Sequence, residues 1–156
     1  MPERYRNDTR LVVGLEADES PPVKGTTFEV QICQWTLAGA QGHPAFWAMV
    51  ERIMDKVEHR SLGLRPAEWT DKDVLDTTGP AGWTEVIYEH IRTVTGKPIT
   101  WHNLTQMREP RLYGDVLVLP IDAFATGVPH SGASRKRSDG TMVMHFFDGA
   151  WKYGNG

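Results

Sequence analysis

One cysteine, Cys33, stands in 156 residues. No disulfide within the chain can staple the fold, and no CxxC or Cys/His spacing offers a zinc site. Cys33 sits in a mostly apolar run, so packing is its expected role. No run approaches the ~18 apolar residues of a membrane span. The N-terminus, MPERYRNDTR, is charged and has no apolar h-region, so the chain shows no signal peptide. The sequence has no glycine-rich dinucleotide fingerprint, no phosphate loop and no Gly-x-Ser-x-Gly elbow. It also lacks an excess of charge of one sign: the net value of -3 excludes bulk attraction to nucleic acid.

What remains is an ordinary globular composition, 40% hydrophobic and 24% charged, of a length that fits one domain over 1–156. Six tryptophans are a high number for this size. Most are expected in the core; an exposed one beside polar groups would suit a sugar ring, whose C–H groups face the π-cloud. Two glycosylation sequons, at Asn7-Asp8-Thr9 and Asn103-Leu104-Thr105, are compatible with a secretory lumen.

Leu11 to Leu15 reads as a buried strand running into Glu16-Ala17-Asp18, followed by a loop over 19–25. Residues 28–40 fit strand or helix. Pro44 presets a helix to about residue 60, with Phe46, Val50, Ile53 and Val57 at helical spacing and Trp47 and Met54 beside them. Thr70 caps a short helix through Leu75, with Asp73 completing a capping box. A longer helix over about 81–94 turns Val86, Ile87, Ile91 and Val94 inward and ends at Gly96. Strands are expected at 98–101, 116–121 and 141–147, and a mobile basic loop at 131–140. Alternating strands and helices make the class α/β.

Four clusters carry polar groups at places where ligands bind. Glu16 and Asp18 share a face at a strand end, where open α/β sheets place ligands; there they could hold a metal, accept hydroxyls or act as a base, or simply be solvated. Gln34 offers both a donor and an acceptor to a hydroxyl. Thr77-Thr78-Gly79-Pro80 leads to Gly82-Trp83-Thr84 at a helix start, either a ligand-facing set of N–H groups or an ordinary turn and cap. His145 ends an apolar stretch and precedes Asp148-Gly149-Ala150-Trp151-Lys152. That order could set an imidazole on a metal and an ammonium on a phosphate, or leave His145 packed.

Taken in order, LVVGLEAD (11–18), QICQWTLAGAQGHP (31–44), TTGPAGWTE (77–85), GDVLVLPIDAFATGV (114–128) and HFFDGAWK (145–152) resemble glycosyltransferase family 32, the group of the fungal α-1,6-mannosyltransferases. The resemblance implies the C-terminal portion of a GT-A fold, a mixed sheet with flanking helices. It implies a retaining transfer of mannose from GDP-mannose to a glycan in protein N-glycosylation, with Mn²⁺, in the Golgi lumen. By position, Glu16 and Asp18 correspond to catalytic or acceptor-side residues. His145 corresponds to a metal ligand, and Gln34, Gly149, Trp151 and Lys152 to donor contacts. Thr78, Gly79 and Trp83 fall on the acceptor side. The family's Asp-x-Asp metal motif would lie upstream of residue 11. The one such pattern here, Asp71-Lys72-Asp73, reads as a helix cap. Ala150 stands where the family has Ser or Thr, and Arg135-Lys136-Arg137 is unusual against its acidic tendency. The implied partners are a nucleotide-sugar donor and a glycan acceptor, without nucleic acid, and with a membrane only through an anchor outside this sequence. A donor-binding half outside the chain would leave the strands at 11–15 and 116–121 uncovered and the chain prone to self-association. The alternative is a non-catalytic relative that binds glycan or pairs with a full-length paralogue.

Overall fold

The computed structural model describes residues 8–61, 68–128 and 131–146. Strand β1 (Leu11–Asp18) lies inside a four-stranded sheet, with β2 (Val30–Gly39) antiparallel to it on one side and β4 (Val116–Leu119) parallel on the other. The short β3 (Arg111–Tyr113) closes the β4 edge in antiparallel register. A parallel neighbour cannot be reached by a hairpin. The crossover from β2 to β4 accordingly carries three helices, α1 (Pro44–Ser61), α2 (Asp71–Thr77) and α3 (Pro80–Thr95). The sheet is mixed and helix-flanked, as expected, and no helix among the described residues is long and apolar enough to cross a membrane.

Side-chain alternation splits the core in two. Leu11, Val13, Leu15, Val30, Ile32, Val116 and Val118 face α3, which lays Trp83, Ile87 and Ile91 over them. Cys33, Leu117 and Leu119 point the other way, under Ala123 and Phe124. Gly14 makes that second contact possible, since a Cβ there would lie 2.2 Å from the Phe124 ring. Burial pushes the Cys33 thiol up to about 12, so it stays neutral and serves packing.

Helix α3 is fixed at both ends and along its inner face. Pro80 supplies the preset first turn, and Gly96 takes the left-handed cap at φ 64° with its N–H on the Arg92 carbonyl. Register shifts interrupt the β1–β2 ladder near Leu15. There the hydroxyl of Thr84 accepts the Ile32 N–H at 2.9 Å, and the Tyr88 hydroxyl donates to the Val30 carbonyl. Side chains of α3 thus satisfy β2 backbone groups near these interruptions. At the far side His43 precedes α1 and accepts the Ala45 N–H on Nδ1 at 3.3 Å. Its Nε2 donates to Asp115 at 3.2 Å, and His90 of α3 meets the other oxygen of Asp115 at 2.9 Å. This clip ties α1, α3 and the β3–β4 turn together.

Five local expectations change. Residues 98–101 form no strand; they run into a 3-10 turn at Trp101–Asn103, and the Ile99 carbonyl is held by Arg92. Residues 141–146 pair with no strand, because the N–H groups of Met142 and Val143 both go to the Ala123 carbonyl. The loop at 131–140 is pinned at its start, where Asp122 accepts both the N–H and the hydroxyl of Ser134 at 2.6 Å. Helix α1 buries only Ala45 and leaves Trp47, Val50, Met54 and Val57 exposed. The strand segments expected to lie bare, at 11–15 and 116–121, are covered, all but Val12 and Pro120 of them buried.

Candidate functional site

A cleft of about 510 Å³ opens where β1 delivers Glu16 to the sheet end. Its other walls come from residues 23–26, from Thr126, Gly127, Val128 and Ser131, and from Met144, His145 and Phe146. Glu16 lies on the face of β1 opposite the α3 core, alternating with Leu15 and Ala17, so its carboxylate escapes the apolar layer. Gln31 of β2, only 1% exposed, holds it: its amide donates to Glu16 at 3.2 Å, while its own oxygen accepts the Thr27 N–H at 2.9 Å. Those two bonds fix the amide orientation and leave Glu16 as a positioned acceptor.

His145 reaches the cleft along the segment that Ala123 anchors. Its ring lies 4.7 Å from that of Trp35, centre to centre, at 38°. The hydroxyls of Thr126 and Thr141 meet at 3.0 Å and tie this segment to the turn after β4. Lys24 adds an exposed cation to the rim. The fold therefore brings Glu16 and His145, from opposite ends of the sequence, into one cleft.

The remaining site residues are placed differently. The carboxylate of Asp18 is committed to the loop before β3, accepting the Thr105 hydroxyl and the Gln106 N–H at 2.6 Å each. Gln106 has φ 52°, a left-handed conformation that a non-glycine residue holds only when its neighbours fix it. Gln34 is exposed on β2 and does not line the cleft. Thr78 and Gly79 form the junction of α2 and α3. The Thr78 N–H and hydroxyl bond the Val74 carbonyl, and a Cβ at Gly79 would strike the Leu75 backbone at 2.6 Å. Trp83 is 3% exposed and stacks on Phe46 at 5.9 Å, so its ring face belongs to the core rather than to a ligand. Gly149, Trp151 and Lys152 lie outside the described residues.

Sequence reasoning missed Gln31, Lys24, Thr126 and Ser131. Gln31 had a signal: a polar residue at the alternate position between Val30 and Ile32 must find partners once the strand is central. Lys24 and Ser131 sit in loops without periodicity and carried none.

Glu16 and His145 fit the oxygen and nitrogen preference of Mn²⁺, but two donors are fewer than a hard cation needs. Among the described residues, one group of three potential ligands converges, His43, His90 and Asp115. There Nδ1 of His43 accepts the Ala45 N–H, so Nε2 carries the proton and donates to Asp115. That tautomer makes the group a hydrogen-bonded clip.

The sequence is 41% identical, over 157 aligned residues, to the initiation-specific alpha-1,6-mannosyltransferase of Schizosaccharomyces pombe, covering 97% of this chain and 39% of the relative. It is 30% identical to the enzyme of that name from Candida albicans, over 94% of this chain and 43% of the relative. Identity to the Saccharomyces cerevisiae enzyme of that name is 31%, over 56% of this chain and 18% of the relative. The chain thus spans about two fifths of the length of the first two relatives. No family model and no solved structure matches it.

Proposed function

The chain belongs to the same family as the fungal initiation-specific α-1,6-mannosyltransferases, and from that premise we propose that it forms part of a retaining mannosyltransferase of GT-A type. The donor in this reading is GDP-mannose and the acceptor a glycan of protein N-glycosylation in the Golgi lumen. The observation that carries it is the meeting of Glu16 and His145 in one cleft. Glu16, held by Gln31, accepts a hydroxyl of the sugar. Lys24 supplies a point charge to the diphosphate at the rim. Trp35 limits the swing of the His145 ring, which would hold Mn²⁺ together with oxygen ligands beyond this pair. When bound, the cation neutralises charge on the leaving diphosphate.

Trp35 reports on this site because its ring lies against that of His145. Titrating the chain with GDP and Mn²⁺ should change Trp35 fluorescence only when both are present, and Trp35→Phe should remove the signal. His145→Ala should abolish the response while leaving thermal stability within about 1 kcal/mol. A response that needs no Mn²⁺, or survives His145→Ala, would sink the assignment.

A second reading is a family relative that binds glycan without transferring sugar. Asp71-Lys72-Asp73 holds no metal in either reading, because Asp73 bonds Thr70 and Arg60 in a helix cap. Mannosyl transfer from GDP-mannose to a glycan by the chain would exclude the second reading.

A further inference from the structure

A depression of about 520 Å³ lies between the C-terminal half of α1 and α2. Asp55, Lys56, His59, Trp69, Asp73 and Asp76 line it. It shares no lining residue with the Glu16–His145 cleft, and its helices pack on α3, across the sheet from Glu16.

Trp69 is 47% exposed, yet it is not loosely held. The Arg60 guanidinium lies 4.6 Å from its ring centre. Arg60 is itself fixed by two bonds to Asp73, at 2.9 and 3.1 Å, and by a third to the Glu68 carbonyl at 2.8 Å. Asp73 is fixed in turn by the capping box with Thr70. An exposed indole is thus supported by a chain of charge-assisted bonds, which lowers the entropy lost when a ligand settles on it. Trp47, 63% exposed, differs: its indole N–H bonds Glu51 on the same helix, and it lines none of the cavities described.

The polar rim decides what kind of ligand fits. Nδ1 of His59 faces the Asp55 carbonyl at 2.7 Å, so it must donate, and Nε2 is left as an acceptor. Asp55 is exposed. Asp73 is paired with Arg60 and Asp76 with Lys72, so neither carboxylate is left to attract a cation or repel an anion. The Lys56 ammonium, turned to the Asp76 carbonyl at 3.2 Å, balances the remaining carboxylate of Asp55, so the rim selects no ion of either sign. A neutral, hydroxyl-rich ligand with one apolar face suits an aromatic wall ringed by acceptors.

We propose that this depression is a second carbohydrate-binding site, taking a hexose unit of a glycan with its C–H face on Trp69 and its hydroxyls on Asp55 and His59. The site would hold glycan away from the donor cleft. The choice of a mannose-containing probe rests on the function proposed above, whereas the geometry argues for a hexose on its own.

The test is titration of the chain with α-1,6-mannobiose, read by calorimetry and by the NMR signals of the indole N–H groups. Saturable binding with a shift of the Trp69 signal is expected. Trp69→Ala should weaken it about tenfold or more, the equivalent of roughly 1.4 kcal/mol. Asp55→Asn should weaken it without moving the melting temperature, and it decides the matter where Trp69→Ala fails to fold. No binding, unchanged affinity in Asp55→Asn or in a folded Trp69→Ala variant, or a shift confined to Trp35 would overturn the proposal. His145→Ala should leave sugar binding intact while removing the response to Mn²⁺ and GDP, so failure of the donor reading is seen separately.

Discussion

At the scale of single residues, the two acidic groups at the end of β1 illustrate how identical chemistry is divided by its surroundings. Glu16 faces a cleft and is steered by one buried amide. Asp18, two residues on, is consumed by the loop it holds. Loss of the Asp18 carboxylate strands a hydroxyl and an N–H and frees a left-handed Gln106. Asp18→Ala is therefore expected to cost about 1–3 kcal/mol of stability, measured by urea denaturation, with Asp18→Asn recovering part of it. Glu16→Gln should change stability by less than about 1 kcal/mol, because the new side chain keeps an oxygen to accept from the Gln31 amide. Equal losses in both variants would mean that the two carboxylates share one structural role.

At the scale of elements, the sequence was legible where chemistry is local and opaque where it depends on partners. The Thr70–Asp73 capping box, Pro80 at a helix start and Gly96 at its end are written in neighbouring residues, and α2 and α3 begin and end within a residue or two of where they are read. Residues 28–40 stayed ambiguous because the β2 ladder breaks register beside Leu15 and α3 supplies the missing bonds, a remedy invisible in β2 itself. The three residues of β3 are too few to show a period. The cleft was half legible: its two chemical residues stood out, but Gln31 and the supporting hydroxyls belong to tertiary contact. Helix α1 shows the opposite failure. Its periodicity is real, yet Trp47, Val50, Met54 and Val57 lie in the open, and α1 reaches α3 through the half-buried Phe46 on Trp83 and through the Arg52–Glu85 ion pair. Trp47→Gln and Met54→Gln should therefore each shift stability by no more than about 0.5 kcal/mol, while Ile87→Ala, on the inner face of α3 and fully buried, should cost about 2–5 kcal/mol. Thermal melts of the three variants side by side check this, and a large loss at Trp47 would place α1 differently.

At the scale of the whole molecule, one small group couples two helices to the sheet edge. His43 precedes α1, His90 belongs to α3, and Asp115 lies in the β3–β4 turn, so the clip opens only when helices and sheet edge part. Burial holds the His43 imidazole below its ordinary value of 6.5, with Asp115 pulling the other way and His90 and Arg10 adding to the depression. Burial alone would raise the Asp115 carboxyl, but the hydrogen bond and charge of His90, with those of His43, outweigh it and hold the group below 3.8. The signs of the two contributions agree. A histidine depressed in the folded state binds its proton more readily when unfolded, so its contribution is complete above pH 6.5 and declines as pH falls below that value. A depressed carboxyl adds stability above 3.8 that is lost on further acidification. Unfolding free energy should therefore fall in two stages on acidification, with a slope of at most about 1.4 kcal/mol per pH unit from His43 in the first. His43→Gln keeps one acceptor for the Ala45 N–H and one donor for Asp115 while removing the titration. It is expected to flatten the profile just below pH 6.5 and leave the decline below pH 3.8 in place. Urea denaturation at half-unit steps from pH 3 to 8 reads both stages, and an unaltered upper stage in His43→Gln would assign that stage to a different histidine.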